Sequence, residues 1–471
     1  MAFCFFSTIG FGLNPMMDWE ALVFELREMI SRQAAVIDEQ NKRITQLEEE
    51  VRVLKNRKNS GNSSLPPSMD FGKPVAKPNQ SLRGKSNLKS GGQPGHKGTT
   101  LEMSSNPDII EQLLPQVCRG CHHSLEGQES VLIGRRQLVD IPPAKPIYTE
   151  YQLFERTCSC CNLAQSANYP SNVQAPIQYG PQVMSMVSYL YTRQFVPLKR
   201  LKELMNSLFG LSMSEGTIVN LLEKMVEKAM PAYQIIKHNI LKSGYAGADE
   251  TGCKVNGDNQ WLWTLQNELY TYIWLSHTRG YDAIEEQFAD ELKNLILIHD
   301  CWSAYFQTGA SAHQLCMAHL NRDLQYLSEL YPDDHWVKNI RNQFSKALNL
   351  KREMVEDPPK IWTKARNSLE EKLKKYVEMP LENAGEKVIK FQKRLRKHLE
   401  SLTTFLHQLH IPPDNNGSER AIRNVKVKLK VSGQFKTEKG ADIFAVLRSV
   451  IDTLVKNDKD VFQALVTLSN C

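Results

Sequence analysis

Apolar residues recur at seven-residue intervals through residues 18–57. Val23, Ile30, Ile37, Ile44 and Val51 form one set, and Leu26, Gln33, Gln40, Leu47 and Leu54 form the set three positions on. β-Branched residues at the first set with mostly Leu at the second favour two parallel helices wound into a coiled coil. Gln33 and Gln40 weaken the centre of that seam but set its register. Arg43 opposite Glu48, and Glu50 opposite Lys55, are attractive pairs across it. Five unbroken heptads predict self-association, at least a homodimer, rather than a lone amphipathic helix. The pattern then stops. Residues 58–105 are rich in Gly, Pro, Ser, Asn and Lys and cannot bury enough apolar surface to fold alone, so they read as a linker.

In 106–175, two strand-like runs (132–141 and 147–156) lie between pairs of cysteines. Residues 176–240 read as helical, with apolar-periodic runs at 197–209 and 213–227 joined by a Gly210 turn. Ser212 and Glu215 have capping-box spacing for the second run. Such a pair fits helix-turn-helix geometry, although any helical hairpin gives the same pattern. From 241 to 326 the period shortens. Strands are expected at 244–255, 261–266 and 270–276, with Asn256-Gly-Asp-Asn at a hairpin turn. A helix (282–292), a buried strand (295–300), another strand (312–317) and a helix follow, in the order of an RNase H-like core. Residues 327–410 read as a helical insertion, and 411–471 as completion of the core with C-terminal helices. The expected fold class is multidomain α/β: an N-terminal coiled coil, a zinc-ribbon-like β module, a helical DNA-binding region and an RNase H-like catalytic core with a helical insertion.

Composition narrows this picture. The chain has 471 residues, 41% hydrophobic and 23% charged, which suits two to four soluble domains. No run approaches the roughly 18 uncharged apolar residues of a membrane helix. The net charge of +6 is modest, but nine Lys or Arg residues and one acid, Asp70, fall between Lys55 and Lys97. That local excess leaves the rest slightly acidic and suits a tether lying along DNA phosphate. Ten cysteines in so long a chain make no disulfide scaffold, and four have metal-ligand spacing, so reducing cytoplasm is expected. Residues 1–17, MAFCFFSTIGFGLNPMM, lack the basic start and cleavage site of a signal peptide. They read as a disordered or mis-started tail, with Met16 or Met17 as initiator.

Cys118 with Cys121, and Cys158 with Cys161, supply four thiolates for a tetrahedral Zn²⁺ with no open position, hence a structural one. Cys160 is an alternative ligand, and His122 and His123 are rivals at the first knuckle. Two-metal phosphoryl chemistry needs hard oxygen ligands that converge. Asp249 lies in a strand with small neighbours (AGADETG), which admit metal and phosphate, and Asp300 ends the next core strand. Each alone means little, and Asp300, ending a strand before 302–306, is as well explained as a helix cap. Glu419 is better marked, because in a helix it shares one face with Arg423, Lys426 and Lys430. The bland alternative there is a solvated helix with a Glu419–Arg423 pair. His313, Cys316 and His319 offer a second transition-metal site. Their simpler account is core packing at a strand-to-helix junction, with Arg322 reaching DNA.

Taken in order, the zipper-like start, NSGNSSLPPS, GGQPGHKG, the paired knuckles, ADETG, HDCWSAYF, HQLCMAHLNRDL and DNNGSERAIRNVKV resemble bacterial transposases of the insertion-sequence-66 family. The resemblance covers nearly all of residues 20–465. It implies a DDE recombinase whose catalytic acids fall on Asp249, Asp300 and Glu419, the same three selected above, with Mg²⁺ (or Mn²⁺) as cofactor. It implies cleavage at transposon ends and joining of the 3′-OH to target DNA, with Arg420, Arg423, Lys426, Lys430 and Arg322 as DNA contacts. Small accessory proteins of the same element are implied as partners. The extra Cys160 and the segment before Met16 depart from the family pattern. The rival readings are a non-catalytic dimeric zinc-dependent DNA-binding regulator and an inactive transposase. The regulator does not account for three acids spread across an RNase H-like pattern, and the presence of all three argues against an inactive copy.

Overall fold

The computed structural model describes residues 19–59, 62, 95, 101–356, 362–382 and 384–470. The expected tail, nearly all of the linker, and the NSGNSSLPPS and GGQPGHKG motifs apart from Asn59, Asn62 and Gly95 lie outside the described residues. The heptad stretch forms one unbroken helix, α1 (Trp19–Lys55). Its seam stays at the surface, with Ile30 and Leu54 64% and 60% exposed. Near its C-terminal end the Tyr331 hydroxyl donates to Glu49, and Arg52 lies 5.2 Å from the Tyr331 ring centroid.

The β module expected between the cysteine pairs is largely unformed. Its strands are β1 (Glu155–Thr157) and β2 (Ala164–Ser166), an antiparallel hairpin within the second knuckle. The runs expected as strands at 132–141 and 147–156 have no strand partner before Glu155, and Ile133 and Leu138 are 99% and 92% exposed. Alternating apolar residues form strands only where a neighbour and a core receive them. Here neither does.

Next come α2 (Pro181–Ser188), which continues as a π-helical turn, α3 (Leu198–Phe209) and α4 (Glu215–Leu241). Gly210 ends α3 at φ +64°, a left-handed position that glycine fills at low cost. The cap of α4 is Ser214, which accepts from the Thr217 N–H, and not the expected Ser212. Met213 is drawn into the core, so the helix starts beyond it. α4 also runs past the expected 227, because its apolar face continues through Ala229, Tyr233, Ile236 and Ile240. It packs along the core, with Gly216, Asn220, Lys224 and Glu227 among its exposed residues.

Strands β3 (Tyr245–Val255), β4 (Asp258–Gln266) and β5 (Thr271–Ser276) form an antiparallel meander. After α5 (Asp282–Phe288) the chain adds β6 (Ile296–His299) parallel to β3, and then β7 (Ala312–Leu315) parallel to β6. The sheet order is β5-β4-β3-β6-β7, giving a mixed sheet in a mixed α/β architecture. Helix α6 (Met317–Leu330) leads to α7 (His335–Glu356), α8 (Trp362–Glu378), α9 (Glu386–Lys397) and α10 (Thr404–His407). Then come α11 (Asn416–Ser432), α12 (Glu438–Lys456) and α13 (Val461–Asn470).

Two apolar clusters flank the sheet. Leu297 of β6 joins the cluster built from α2–α5, β3–β5 and α12, whereas Ile296 and Ile298 join the one built from α6–α10. Successive strand residues face opposite ways, so this single strand divides the two cores. Among the described residues no helix is long and apolar enough to cross a membrane.

Candidate active site

Strand register accounts for two of the three acids. β3 pairs in parallel with β6, Tyr245 beside Ile296 and Gly247 beside Ile298. Two residues further, the same register sets Asp249 level with Asp300, on the face that carries Gly247 and Ile298. Helix α11 lies across that face and brings Glu419. Burial, then the charges of Glu250 and Asp300, and last that of Glu419, push the Asp249 carboxyl up to about 8; a bond from the Glu250 N–H partly offsets them. The three acids are thus gathered, but they are not closed into one tight set. The Glu419 carboxylate is held by Arg322 Nη2, 2.9 Å from Oε1 and 3.2 Å from Oε2. Its partner is therefore a residue of α6, not Arg423 on its own helix. Asp300 Oδ1 accepts from the Trp302 N–H at 2.9 Å, the capping contact that its position allowed.

The start of α11 is set by Asn415, which is almost fully buried. Its Nδ2 donates to Ala248 O at 2.6 Å, its Oδ1 accepts from Ser418 Oγ at 2.6 Å, and its backbone N–H donates to Cys316 Sγ at 3.2 Å. One side chain thus ties the residue before Asp249 to the residue before Glu419. Gly247 makes room for this junction. A Cβ there would sit 2.7 Å from Gln266 Nε2 and 2.8 Å from Ser418 Oγ, and closer still to Asn415 Oδ1. Gly247, one of the small residues around Asp249, therefore serves helix docking. Further along α11, Arg420, Arg423, Lys426 and Lys430 are all exposed. Lys428 is instead buried, its Nζ 3.8 Å from the Tyr191 ring centroid, and burial pulls it down to about 8.

Behind the acids is a network that the sequence did not single out. Glu250, adjacent to Asp249, faces the other side of β3. It accepts 2.9 and 2.8 Å bonds from Arg279 and a bond from the Tyr305 hydroxyl. Burial raises its pKa, and these bonds oppose the rise. Arg279 stacks 4.2 Å over Trp302, whose Nε1 donates to Arg279 O at 3.2 Å. Asp300 and Glu250 are thereby braced through Trp302, Arg279 and Tyr305. Strand alternation would have shown that Asp249 and Glu250 face opposite ways; nothing local pointed to Arg279.

The spacing of His313, Cys316 and His319 does not yield one site. His313 lies within β7 and turns to His299, away from Cys316 and His319 at the start of α6. Its Nδ1 sits 3.0 Å from His299 Nε2, and burial holds its pKa down at about 4. Glu419 takes its place beside Cys316 and His319.

Both cysteine knuckles have the same turn. Cys118 N–H donates to His123 O and His122 N–H to Cys118 O, each at 2.9 Å; Cys158 with Leu163 and Asn162 repeats both bonds at 2.9 Å. His122 and Asn162 each adopt φ 58°. In each turn the first thiol has its pKa lowered by backbone N–H groups, Cys118 by Cys121 and Gly120, Cys158 by Cys161 and Cys160. No three of the knuckle sulfurs lie within 4.8 Å of one another.

Comparison with known families matches residues 176–443, more than half of the chain and inclusive of all three acids, to the model described as Transposase IS66 family. Residues 15–102 match a model described as Family of unknown function (DUF6444). A search of curated proteins found no match.

Proposed function

The chain belongs to the IS66 transposase family, and on that premise we propose that it is a DDE-type transposase that cuts DNA at its element's ends and joins the freed 3′-OH to target DNA. The observation carrying this reading is the meeting of Asp249, Asp300 and Glu419 from two parallel strands and a helix, near enough that the other two charges raise the Asp249 pKa. A sheet of three antiparallel strands followed by two parallel ones supports an RNase H-like core.

The donor set suits Mg²⁺ or Mn²⁺, since three carboxylates supply hard oxygens. Bound there, such ions supply Lewis-acid stabilisation and an activated water for phosphoryl transfer. Asp249, Asp300 and Glu419 would hold them. Metal ligation by Glu419 would compete with its bond from Arg322. The exposed row Arg420, Arg423, Lys426 and Lys430 would grip the DNA backbone beside the acids. Trp302 and Arg279 brace Asp300, and Asn415 positions Asp249 relative to Glu419.

The knuckles we read as a structural Zn²⁺ site of Cys118, Cys121, Cys158 and Cys161, supported by their matched turns and thiolate-favouring N–H groups. Drawing them together would give residues 106–175 a centre to pack around. The exposed seam of α1 suits a second copy of this chain, wound in parallel.

The test is cleavage and joining of DNA carrying the element's terminal repeats, with Mg²⁺. Asp249→Asn, Asp300→Asn and Glu419→Gln should each lower both steps by roughly 10³-fold, the loss of several kcal/mol of metal-assisted stabilisation, with DNA binding retained. An Asp300→Asn protein that still cuts sinks the scheme. Repeats bound but left intact by the wild type would favour the regulator reading.

A further inference from the structure

Beside the three acids is a second set of ligands that shares only Glu419 with them. Cys316 Sγ, a His319 ring nitrogen and a Glu419 oxygen lie within 4.8 Å of one another, the one such group of three among the described residues. The set is held by the fold: Cys316 caps α6, His319 follows it within the first turn, and the Asn415 N–H to Cys316 Sγ contact ties α11 to both. His319 Nδ1 is buried without a hydrogen-bond partner. It lies 3.7 Å from Glu419 Oε1. That is too long for a hydrogen bond. It is close to the spacing of two ligands each about 2.1 Å from one tetrahedral ion. A sulfur and an imidazole among the donors select a thiophilic cation over Mg²⁺.

We propose that Cys316, His319 and Glu419 bind a thiophilic divalent cation of the Zn²⁺ class, in competition with Arg322, and that this binding withdraws Glu419 from Asp249 and Asp300. On ligation the Cys316 S–H bond breaks, a sulfur–metal bond forms and the proton passes to solvent. Arg322 must swing off the carboxylate, because its charge opposes the incoming ion. The site would act as a brake on cleavage. That consequence rests on the catalytic role proposed for Glu419, whereas the binding itself does not.

Full-length protein titrated with Co²⁺ tests the site, because thiolate-to-cobalt charge-transfer absorption reports sulfur ligation and is silent for the carboxylates. With the knuckles intact, Cys316→Ser should lose one sulfur-ligated equivalent. His319→Ala should weaken that equivalent by at least about tenfold, and Arg322→Ala should tighten it by about tenfold. Far-UV circular dichroism checks that each variant is folded. Should Cys316→Ser fail to fold, the His319→Ala and Arg322→Ala affinities decide. Unchanged stoichiometry in a folded Cys316→Ser protein, or unchanged affinity in the other two, overturns the site. In the wild type, Zn²⁺ sufficient to fill it should lower Mg²⁺-dependent cleavage by at least about tenfold; undiminished cleavage overturns the brake. A chain that binds this equivalent but never cuts fails the catalytic reading alone. One that cuts but lacks the equivalent fails this inference alone.

Discussion

Asp249 carries the clearest consequence at the scale of single residues. Burial first, then Glu250 and Asp300, and lastly Glu419 hold its carboxyl at about 8, against 3.8 for the free group. The folded chain therefore keeps a proton that the unfolded chain releases between those two values. Its contribution to stability is present in full below about 3.8 and is lost as pH rises through about 8. Without divalent cations the protein should melt at a lower temperature at pH 8 than at pH 5, and Mg²⁺ should recover part of the difference. Asp249→Asn should flatten the slope and raise the pH 8 melting temperature by roughly 2–5 °C in EDTA, by calorimetry. An unchanged slope would mean that another group titrates. At this scale the residue types and motifs were enough to nominate Asp249, Asp300 and Glu419. They were not enough to show that Glu419 rests on Arg322 or that Glu250 is a buried brace, because both partners come from distant segments.

Between elements, the decisive contact is the seating of α11 on β3. Gly247 and Asn415 set it, and there is no slack at the glycine. Gly247→Ala should leave a folded protein whose α11 is pushed off the sheet by a fraction of an ångström or more. Cleavage should fall by roughly 10²-fold, as misplacement near 1 Å costs in other oriented sites. Circular dichroism and a cleavage assay measure the two halves; a variant as active as wild type would remove Gly247 from the argument. The strand patterns of β3 to β7 were readable because a buried sheet needs alternating or continuous apolar runs. The His313–Cys316–His319 grouping fails because it spans a strand-to-helix junction: His313 is in β7, whereas Cys316 and His319 belong to the start of α6. The strands expected at 132–141 failed for a different reason: a periodic run is a necessary condition for a strand, and a partner must complete it.

Over the whole molecule, one long helix stands out with its apolar seam exposed, while the elements from α2 to α13 pack into two cores divided by β6. If that seam receives a second copy, Ile30→Asp with Ile37→Asp should halve the mass seen by light scattering and leave the melting of the two cores within about 1–2 °C. A mass unaffected by both changes would place self-association elsewhere or exclude it.

Local rules of periodicity and spacing determined the helix of α1 and the sheet strands, and they nominated Asp249, Asp300 and Glu419 as candidates, because each depends on residues near one another in the chain. Tertiary structure alone decided what meets what. Parallel register brought Asp249 level with Asp300, Asn415 fastened α11 across them, and α6 supplied Arg322, Cys316 and His319 around Glu419. Those pairings join residues far apart in sequence, and they form only when buried polar groups must find partners as the sheet and helices close on one another.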